Sequence, residues 1–177
     1  MDPFSVLGIP PRFSLDLGEI EKRYRDLSRA LHPDKFVGRP ASERRMALSK
    51  AIEVNEAWRT LKDPVKRAEA LMRRAGVPVG ETKEGAADPA LLMEMMEQRE
   101  ALSEARAARD KAALDRLVAS MREREQRVIA TLASRFDAPD GSADDAKAAL
   151  PALGELRYVR RFLEEASAAE DELGEAG

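Results

Sequence analysis

The tripeptide His32-Pro33-Asp34 determines where one helix of this chain must end. A residue before proline is driven out of the right-handed helical region, so a helix that starts at Leu17 should end at or near His32. A second amphipathic pattern begins a few residues later, which predicts an exposed corner between two helices. Exposed loops on a rigid scaffold often carry function, although an ordinary solvated turn would also explain these residues.

The helix before this corner has two distinct faces. Asp16 can cap its start, and Glu19 stands three residues later, as in a capping box. Apolar side chains recur at helical spacing on one face, at Ile20, Tyr24, Leu27 and Leu31. Basic side chains recur on a second face, at Lys22, Arg25, Arg29 and His32. We expect the apolar face to pack and the basic face to stay exposed, either toward a partner or merely toward solvent.

The rest of the sequence also predicts helices. Alanine, leucine, glutamate and arginine dominate, aromatic residues make up only 5%, and no run of alternating β-branched residues indicates a strand. The predicted helices cover residues 3–7, 17–32, 41–62, 64–75, 89–108, 111–136 and 143–166. Pro151 and Gly154 must either kink the last helix or delay its start. The expected fold class is therefore all-α.

Two domains are expected, because a chain of 177 residues suits one domain or two small ones and the segment 77–87 has the composition of a linker. The first domain should cover residues 1–76. The second should cover 88–166 and open with a helix cap at Asp88. Residues 167–177 should form an acidic tail that frays.

Composition narrows the possible functions. With 30 basic and 33 acidic residues the chain is slightly acidic, which argues against wholesale binding to nucleic acid. Cysteine is absent and there is one histidine, so thiolate metal sites are impossible and little remains for covalent catalysis. No apolar stretch is long enough to cross a bilayer, and the N-terminus lacks the pattern of a signal peptide. We expect a cytoplasmic protein that is not an enzyme, uses no metal or cofactor and binds neither nucleic acid nor membrane.

The helix that begins at Pro89 carries a second candidate binding surface. One side has the spacing of a core face, with Leu91, Met95, Leu102 and Ala105. Another side combines apolar and acidic residues, namely Leu92, Met93, Met96, Glu97, Glu100 and Glu104. An apolar patch rimmed by carboxylates is typical of an adaptable partner site, and we call these six residues the acidic–apolar face. A wider buried face in a crowded helical bundle is the alternative.

The last two helices carry side chains that depart from a simple core stripe. Glu125 falls on the apolar stripe of the helix 111–136, and its spacing offers no account of it. In the final helix the core stripe is predicted to consist of Leu153, Leu156, Val159 and Leu163. Tyr158 and Phe162 project from a different side, where they either extend a binding surface or pack against the first domain.

Several motifs together resemble a known family. The basic helix, the tripeptide at His32 and the run 55–64 (NEAWRTLKDP) resemble a J-domain. The finer resemblance is to the HscB family of J-domain co-chaperones, which serve iron–sulfur cluster assembly in bacteria. It rests on the runs 32–36 (HPDKF), 67–71 (RAEAL), 92–94 (LME), 97–100 (EQRE) and 101–104 (ALSE). The similarity extends from Asp2 to about Leu163.

The resemblance implies an N-terminal J-domain, built as a helical hairpin with short flanking helices, and a C-terminal three-helix bundle. In that family the J-domain engages a DnaK-type chaperone, HscA, and stimulates its ATP hydrolysis. The bundle holds the iron–sulfur scaffold protein IscU and delivers it to the chaperone.

The same resemblance assigns roles to residues of this sequence. The stimulating motif would be His32, Pro33 and Asp34. The chaperone-docking residues would be Lys22, Arg25, Arg29 and Lys35. The scaffold-binding residues would be Leu92, Met93, Met96, Glu97, Glu100, Glu104 and Tyr158. A J-protein with a different client is the nearest alternative, and a nucleic-acid-binding protein that uses the basic helix is the alternative from another class.

Overall fold

The computed structural model describes residues 1–80, 89–138 and 142–174, and over these residues the chain is helical and contains no strand. In chain order the elements are α1 (Pro3–Leu7), α2 (Leu17–Ala30), a short 3₁₀ helix (Pro33–Phe36), α3 (Ala41–Lys62), α4 (Pro64–Arg74), α5 (Pro89–Ala107), α6 (Lys111–Phe136), α7 (Ala143–Ala148) and α8 (Leu150–Gly174). The prediction of an all-α fold is confirmed. The expected cap at Asp88 and most of the expected linker lie outside the described residues.

Short-range signals set several helix ends. Asp2 caps α1, and Gly8 closes it in the left-handed conformation with φ of 63°. Asp63 caps α4 just ahead of Pro64, whose missing N–H is not needed in the first turn. Gly76 follows α4 with φ of 76°, a value that glycine adopts without steric cost. These boundaries agree with the sequence prediction because they depend on neighbouring residues only.

The start of α2 differs from the predicted capping box in one bond. The Asp16 carboxylate accepts hydrogen bonds from the backbone N–H groups of Gly18 (2.9 Å) and Glu19 (3.1 Å), as a cap should. The Glu19 carboxylate turns instead to Arg23, whose Nη2 lies 3.1 Å from Glu19 Oε1. The cap is therefore confirmed, while the glutamate serves an ion pair along the helix.

The first of two compact units comprises residues 1–77 together with the described residues of the segment 136–146. Here α1 and α2 pack against α3. The core includes the buried side chains of Phe4, Leu7, Phe13, Ile20, Val54, Leu61 and Met72. Tyr24 of α2 stacks on Trp58 of α3 with ring centroids 5.4 Å apart, and its hydroxyl donates to Asn55 Oδ1 at 3.0 Å. The apolar face predicted for α2 is thus the face that packs.

The end of α6 joins this first unit, which the sequence did not indicate. The Asp137 carboxylate accepts from the backbone N–H groups of Phe13 (2.7 Å) and Ser14 (3.0 Å). The Phe13 ring also stacks on Phe136, with centroids 6.1 Å apart, and the Arg67 guanidinium lies 4.9 Å from the Phe13 ring centre. Contacts between residues 123 positions apart leave no local pattern in a sequence.

The second unit is a three-helix bundle of α5, α6 and α8, as predicted. One cluster of its core contains Leu102, Leu114, Val118, Met121, Val159, Phe162, Ala166 and Ala169. Ion pairs connect the helices around this core, such as the Arg160–Glu125 pair at 3.2 Å between α8 and α6. That pair accounts for the acidic residue on the apolar stripe of α6, since the Glu125 side chain is only 19% exposed and needs a cationic partner.

The final helical region is broken rather than kinked. The chain leaves α7 at Ala148 and starts α8 at Leu150, which puts Pro151 in the first turn, where its missing N–H removes no helical bond. Gly154 lies inside α8 without interrupting it. The helix then continues to Gly174, so the expectation that the chain frays after Ser167 is wrong for residues 168–174. The reason is that Ala169 is fully buried and extends the core stripe by another turn.

Candidate functional site

The corner at His32 has a defined backbone geometry. Helix α2 ends at Ala30, His32 is extended with φ of −62° and ψ of 134°, and Pro33 opens the 3₁₀ helix. The prediction that the helix ends near His32 is confirmed. The His32 Nδ1 atom lies 3.4 Å from both the backbone N and the carboxylate Oδ2 of Asp34. One ring nitrogen accepts from the amide when it has no proton and donates to the carboxylate when it has one, so the two contacts exclude each other.

The corner is open to a partner. The His32 and Asp34 side chains are 59% and 86% exposed, and neither is needed to fill a core. Lys35, on the same 3₁₀ helix, is also exposed. The rigid ring of Pro33 fixes the backbone between the two polar side chains. The corner therefore offers an imidazole, a carboxylate and an ammonium in a short, constrained segment.

The basic face of α2 is exposed but partly neutralised. Lys22, Arg25 and Arg29 all point to solvent. Arg25 pairs with Glu21 at 2.5 Å, and Arg29 pairs with Asp26 at 2.8 Å, both within the helix. Exposed pairs of this kind contribute only about 0.3–0.5 kcal/mol, so a carboxylate on a partner can replace the internal one. The face thus remains suitable for binding an acidic surface.

The acidic–apolar face of α5 is exposed as well. Leu92, Met93 and Met96 are 47%, 66% and 72% exposed, and Glu97, Glu100 and Glu104 follow them along the helix on exposed positions. The alternative of a wider buried face is therefore not what the fold adopts. Three neighbouring large apolar side chains in water form the kind of surface that a partner protein covers.

Of the two aromatic residues predicted to lie outside the core of α8, Phe162 is fully buried and Tyr158 is half-buried. Phe162 lies three residues after Val159 and four before Ala166, so it belongs to the core of the bundle. The expectation that it lies outside the core of the bundle is therefore wrong. Leu163, which was assigned to the core, is only partly buried.

Tyr158 connects α8 to the helix that carries the acidic–apolar face. Its hydroxyl donates to the backbone carbonyl of Met95 at 3.0 Å, and burial raises the pKa of that hydroxyl. Its ring lies 6.3 Å from the Phe162 ring, between centroids. The structure therefore brings Tyr158 against α5 beside the exposed residues, with its hydroxyl engaged by the backbone of α5.

Arg124 of α6 is a residue of this region that the sequence interpretation missed. Its Nη1 and Nη2 atoms donate to the Glu94 carboxylate at 2.5 and 3.1 Å, and its Nε atom donates to Glu155 at 2.6 Å. The hydrogen bonds from Arg124 hold the pKa of the Glu94 carboxyl below its usual range. An available signal was its position on the border of the apolar stripe of α6, where a charge requires a partner.

Family comparisons agree with both regions. The model of the DnaJ domain matches residues 2–70, and a model described as the HSCB C-terminal oligomerisation domain matches residues 87–167. The chain belongs to the HscB family of co-chaperones. It is thus a J-domain co-chaperone of the family linked to iron–sulfur cluster assembly.

Individual relatives of the HscB family span nearly the whole chain. The co-chaperone protein HscB homolog of Bordetella pertussis is 38% identical over 96% of both chains, and that of Burkholderia multivorans is 36% identical over 93% of this chain and 91% of its own. The chaperone HscB from Vibrio cholerae superimposes with a TM-score of 0.85 at 30% identity and covers 98% of this chain and 99% of its own. The human co-chaperone protein HscB gives a TM-score of 0.85 at 26% identity and covers 96% and 82%.

Among the described residues, no helix is both long enough and apolar enough to cross a bilayer.

Proposed function

We propose that this protein stimulates ATP hydrolysis by a DnaK-type chaperone of the HscA kind and delivers an IscU-like iron–sulfur scaffold protein to it in the cytoplasm. The observation that carries the proposal is the presence, in one chain of the HscB family, of an exposed His32-Pro33-Asp34 corner and an exposed acidic–apolar face. The polar side chains of the corner and the side chains of the acidic–apolar face are exposed and fill no core.

The chaperone contact is assigned to the domain over residues 1–76. Lys22, Arg25, Arg29 and Lys35 would attract and orient an acidic surface of the chaperone, since exposed charges act mainly on association rate and register. His32 and Asp34 would then make the local contacts that favour the state of the chaperone that hydrolyses ATP. In this way the corner would change the rate of ATP hydrolysis by another protein, a role that requires no catalytic residues in this chain.

The scaffold contact is assigned to the domain over residues 88–166. Leu92, Met93 and Met96 would be covered by apolar groups of the scaffold, and Glu97, Glu100 and Glu104 would face its basic groups. Tyr158 would border this contact from α8. Methionine adapts to irregular partner surfaces because its side chain is unbranched and flexible.

Joining the two contacts in one chain has a direct consequence. A scaffold protein held by the second domain is present at a high effective concentration next to the chaperone that the first domain engages. The protein would therefore increase both the rate of ATP hydrolysis and the fraction of hydrolysis events that capture the scaffold.

The test is an ATPase assay with purified components. The HscA-like chaperone is measured alone, with this protein, with the IscU-like scaffold, and with both. We expect this protein alone to stimulate ATP hydrolysis by the chaperone. With the scaffold also present, we expect a larger stimulation, reached at a lower scaffold concentration than with the scaffold alone. No stimulation in either case would refute the proposal.

A J-protein for a different client is the second candidate. It would stimulate the chaperone in the same assay, but the scaffold would neither bind to the second domain nor add to the stimulation. Calorimetric titration of this protein with the scaffold separates the two cases.

A further inference from the structure

We propose that Arg124 is a positioning residue for the acidic–apolar face: by joining Glu94 on α5 to Glu155 on α8, it holds the exposed half of α5 ready for the scaffold protein. Arg124 would act through α5 and not by touching the partner. The proposal rests on the proposed function of this face, and it assigns a role to a residue that no motif indicates.

The two halves of α5 are attached to the bundle in different ways. The buried side chains of α5 are Leu102 and Ala105, both in its C-terminal half. Over residues 89–101, which include all three exposed apolar residues of the face, no side chain is fully buried. Leu91 and Met95 in the N-terminal half are half-buried, so apolar burial holds this half less firmly than the C-terminal half, and additional contacts are needed to keep it in one orientation.

Polar contacts supply that attachment. Arg124 donates two hydrogen bonds to Glu94 and one to Glu155, so a single guanidinium binds α6 to both neighbouring helices. The Tyr158 hydroxyl adds a bond to the carbonyl of Met95, the next residue of α5. Arg99, one turn further along α5, pairs with Glu165 of α8. Each contact falls within the half of α5 that lacks buried side chains.

The position of Arg124 suits an indirect role. Its side chain is 15% exposed, whereas the Glu94 side chain is 47% exposed. A side chain this buried offers little surface to a partner. Because its charge is partly removed from water, its hydrogen bonds are strong. Holding a helix in its bound orientation improves affinity because less freedom is lost on binding.

Arg124→Gln in the full chain tests the proposal, with Arg106→Gln as the matched control. Arg106 also joins α5 to α8 through two hydrogen bonds to a glutamate, Glu172, but it lies in the half of α5 that has buried side chains. For Arg124→Gln we expect amide hydrogen exchange in residues 92–101 to accelerate about tenfold and the dissociation constant for the scaffold to rise about tenfold. Arg106→Gln should change neither by more than about twofold.

Exchange in the core segments of α6 and α8 reports whether the whole bundle is destabilised. If Arg124→Gln accelerates exchange there as strongly as in residues 92–101, the role is general stability and the proposal is overturned. Unchanged exchange in residues 92–101 overturns it as well. Because exchange is measured without the scaffold, its result stands even if the wild-type protein fails to bind IscU, which would refute the proposed function instead.

Glu94→Gln provides a second variant that keeps the Arg124–Glu155 bond. If Glu94 acts only through Arg124, its substitution weakens scaffold binding in the wild-type background and has no further effect in the Arg124→Gln background. Additive effects of the two substitutions would mean that Glu94 contacts the scaffold by itself, and would contradict the assignment. Without scaffold present, neither substitution should alter stimulation of the chaperone by more than about twofold, since both residues lie outside the first unit.

Discussion

The corner at His32 and the acidic–apolar face of α5 are both exposed, but different forces fix them. At the corner, the ring of Pro33 and a 3₁₀ turn of four residues constrain the backbone locally, and the 3₁₀ helix also contacts α3. On α5, the exposed residues depend on Arg124 of α6 and Tyr158 of α8 for their attachment. The corner and the exposed residues of α5 can both be recognised in the sequence, whereas the remote side chains that attach α5 cannot.

The same difference predicts how each site responds to substitution. The polar side chains of His32, Asp34 and Lys35 can be exchanged with little loss of stability, because they are exposed and fill no core. Side chains near α5 are either exposed or part of the core: Met96 is 72% exposed, whereas Phe162 in the adjoining core is fully buried.

His32→Gln should have the largest functional effect and should abolish stimulation of the chaperone. The imidazole is exposed, so circular dichroism and the melting temperature should match those of the wild type. The measurement is steady-state ATPase of the HscA-like chaperone, with Arg12→Gln in the exposed loop before α2 as a control. Full stimulation by a folded His32→Gln protein would show that the corner is only a turn.

Phe162→Ala should have the largest effect on stability. Removing most of a fully buried aromatic side chain from the bundle core should lower the free energy of unfolding by about 3–5 kcal/mol. Denaturant titration followed by circular dichroism measures the loss. A decrease in the free energy of unfolding of less than about 1 kcal/mol would contradict the assignment of Phe162 to the core. It would indicate that Phe162 lies on the surface, as its spacing suggests.

The double variant Leu92→Ala and Met96→Ala should behave in the opposite way to Phe162→Ala, with weaker binding and nearly unchanged stability. Scaffold binding should weaken by about 1–3 kcal/mol per residue if these are anchors of the interface, while stability should change little because exposed side chains leave no cavity. Calorimetric titration and thermal melting are run on the same protein. A large drop in melting temperature would assign both residues to the core, even if binding were lost.

Charge reversal at Arg25 and Arg29 should have the smallest effect, and one that depends on salt. Both guanidinium groups are exposed and already paired within α2, so their attraction for a partner acts over about a Debye length, roughly 8 Å at physiological ionic strength. Affinity for the chaperone should fall more at low salt than at high salt. Reversal at Arg116 and Arg122 in the second unit changes net charge equally and should not have this effect. If both pairs of reversals lowered the affinity equally, the basic face would contribute only through the net charge of the protein.

Much of this protein follows from its sequence because the signals are local. Helical periodicity, caps such as Asp16 and Asp63, and the proline after His32 fix the helices and the corner within a few residues. The exposed apolar residues of α5 follow from the same periodicity. Their assignment to a scaffold partner came from the family resemblance and stays a prediction.

Only the tertiary structure decided what is joined across the chain. Residues 168–174 are helical because Ala169 meets a core built by other helices, and Phe162 is buried because that core extends to its side of α8. The segment at Asp137 joins the first unit through backbone groups of Phe13 and Ser14, more than 120 positions away. Such contacts are governed by distance in space, and no spacing along the chain encodes which helices a residue such as Arg124 will connect.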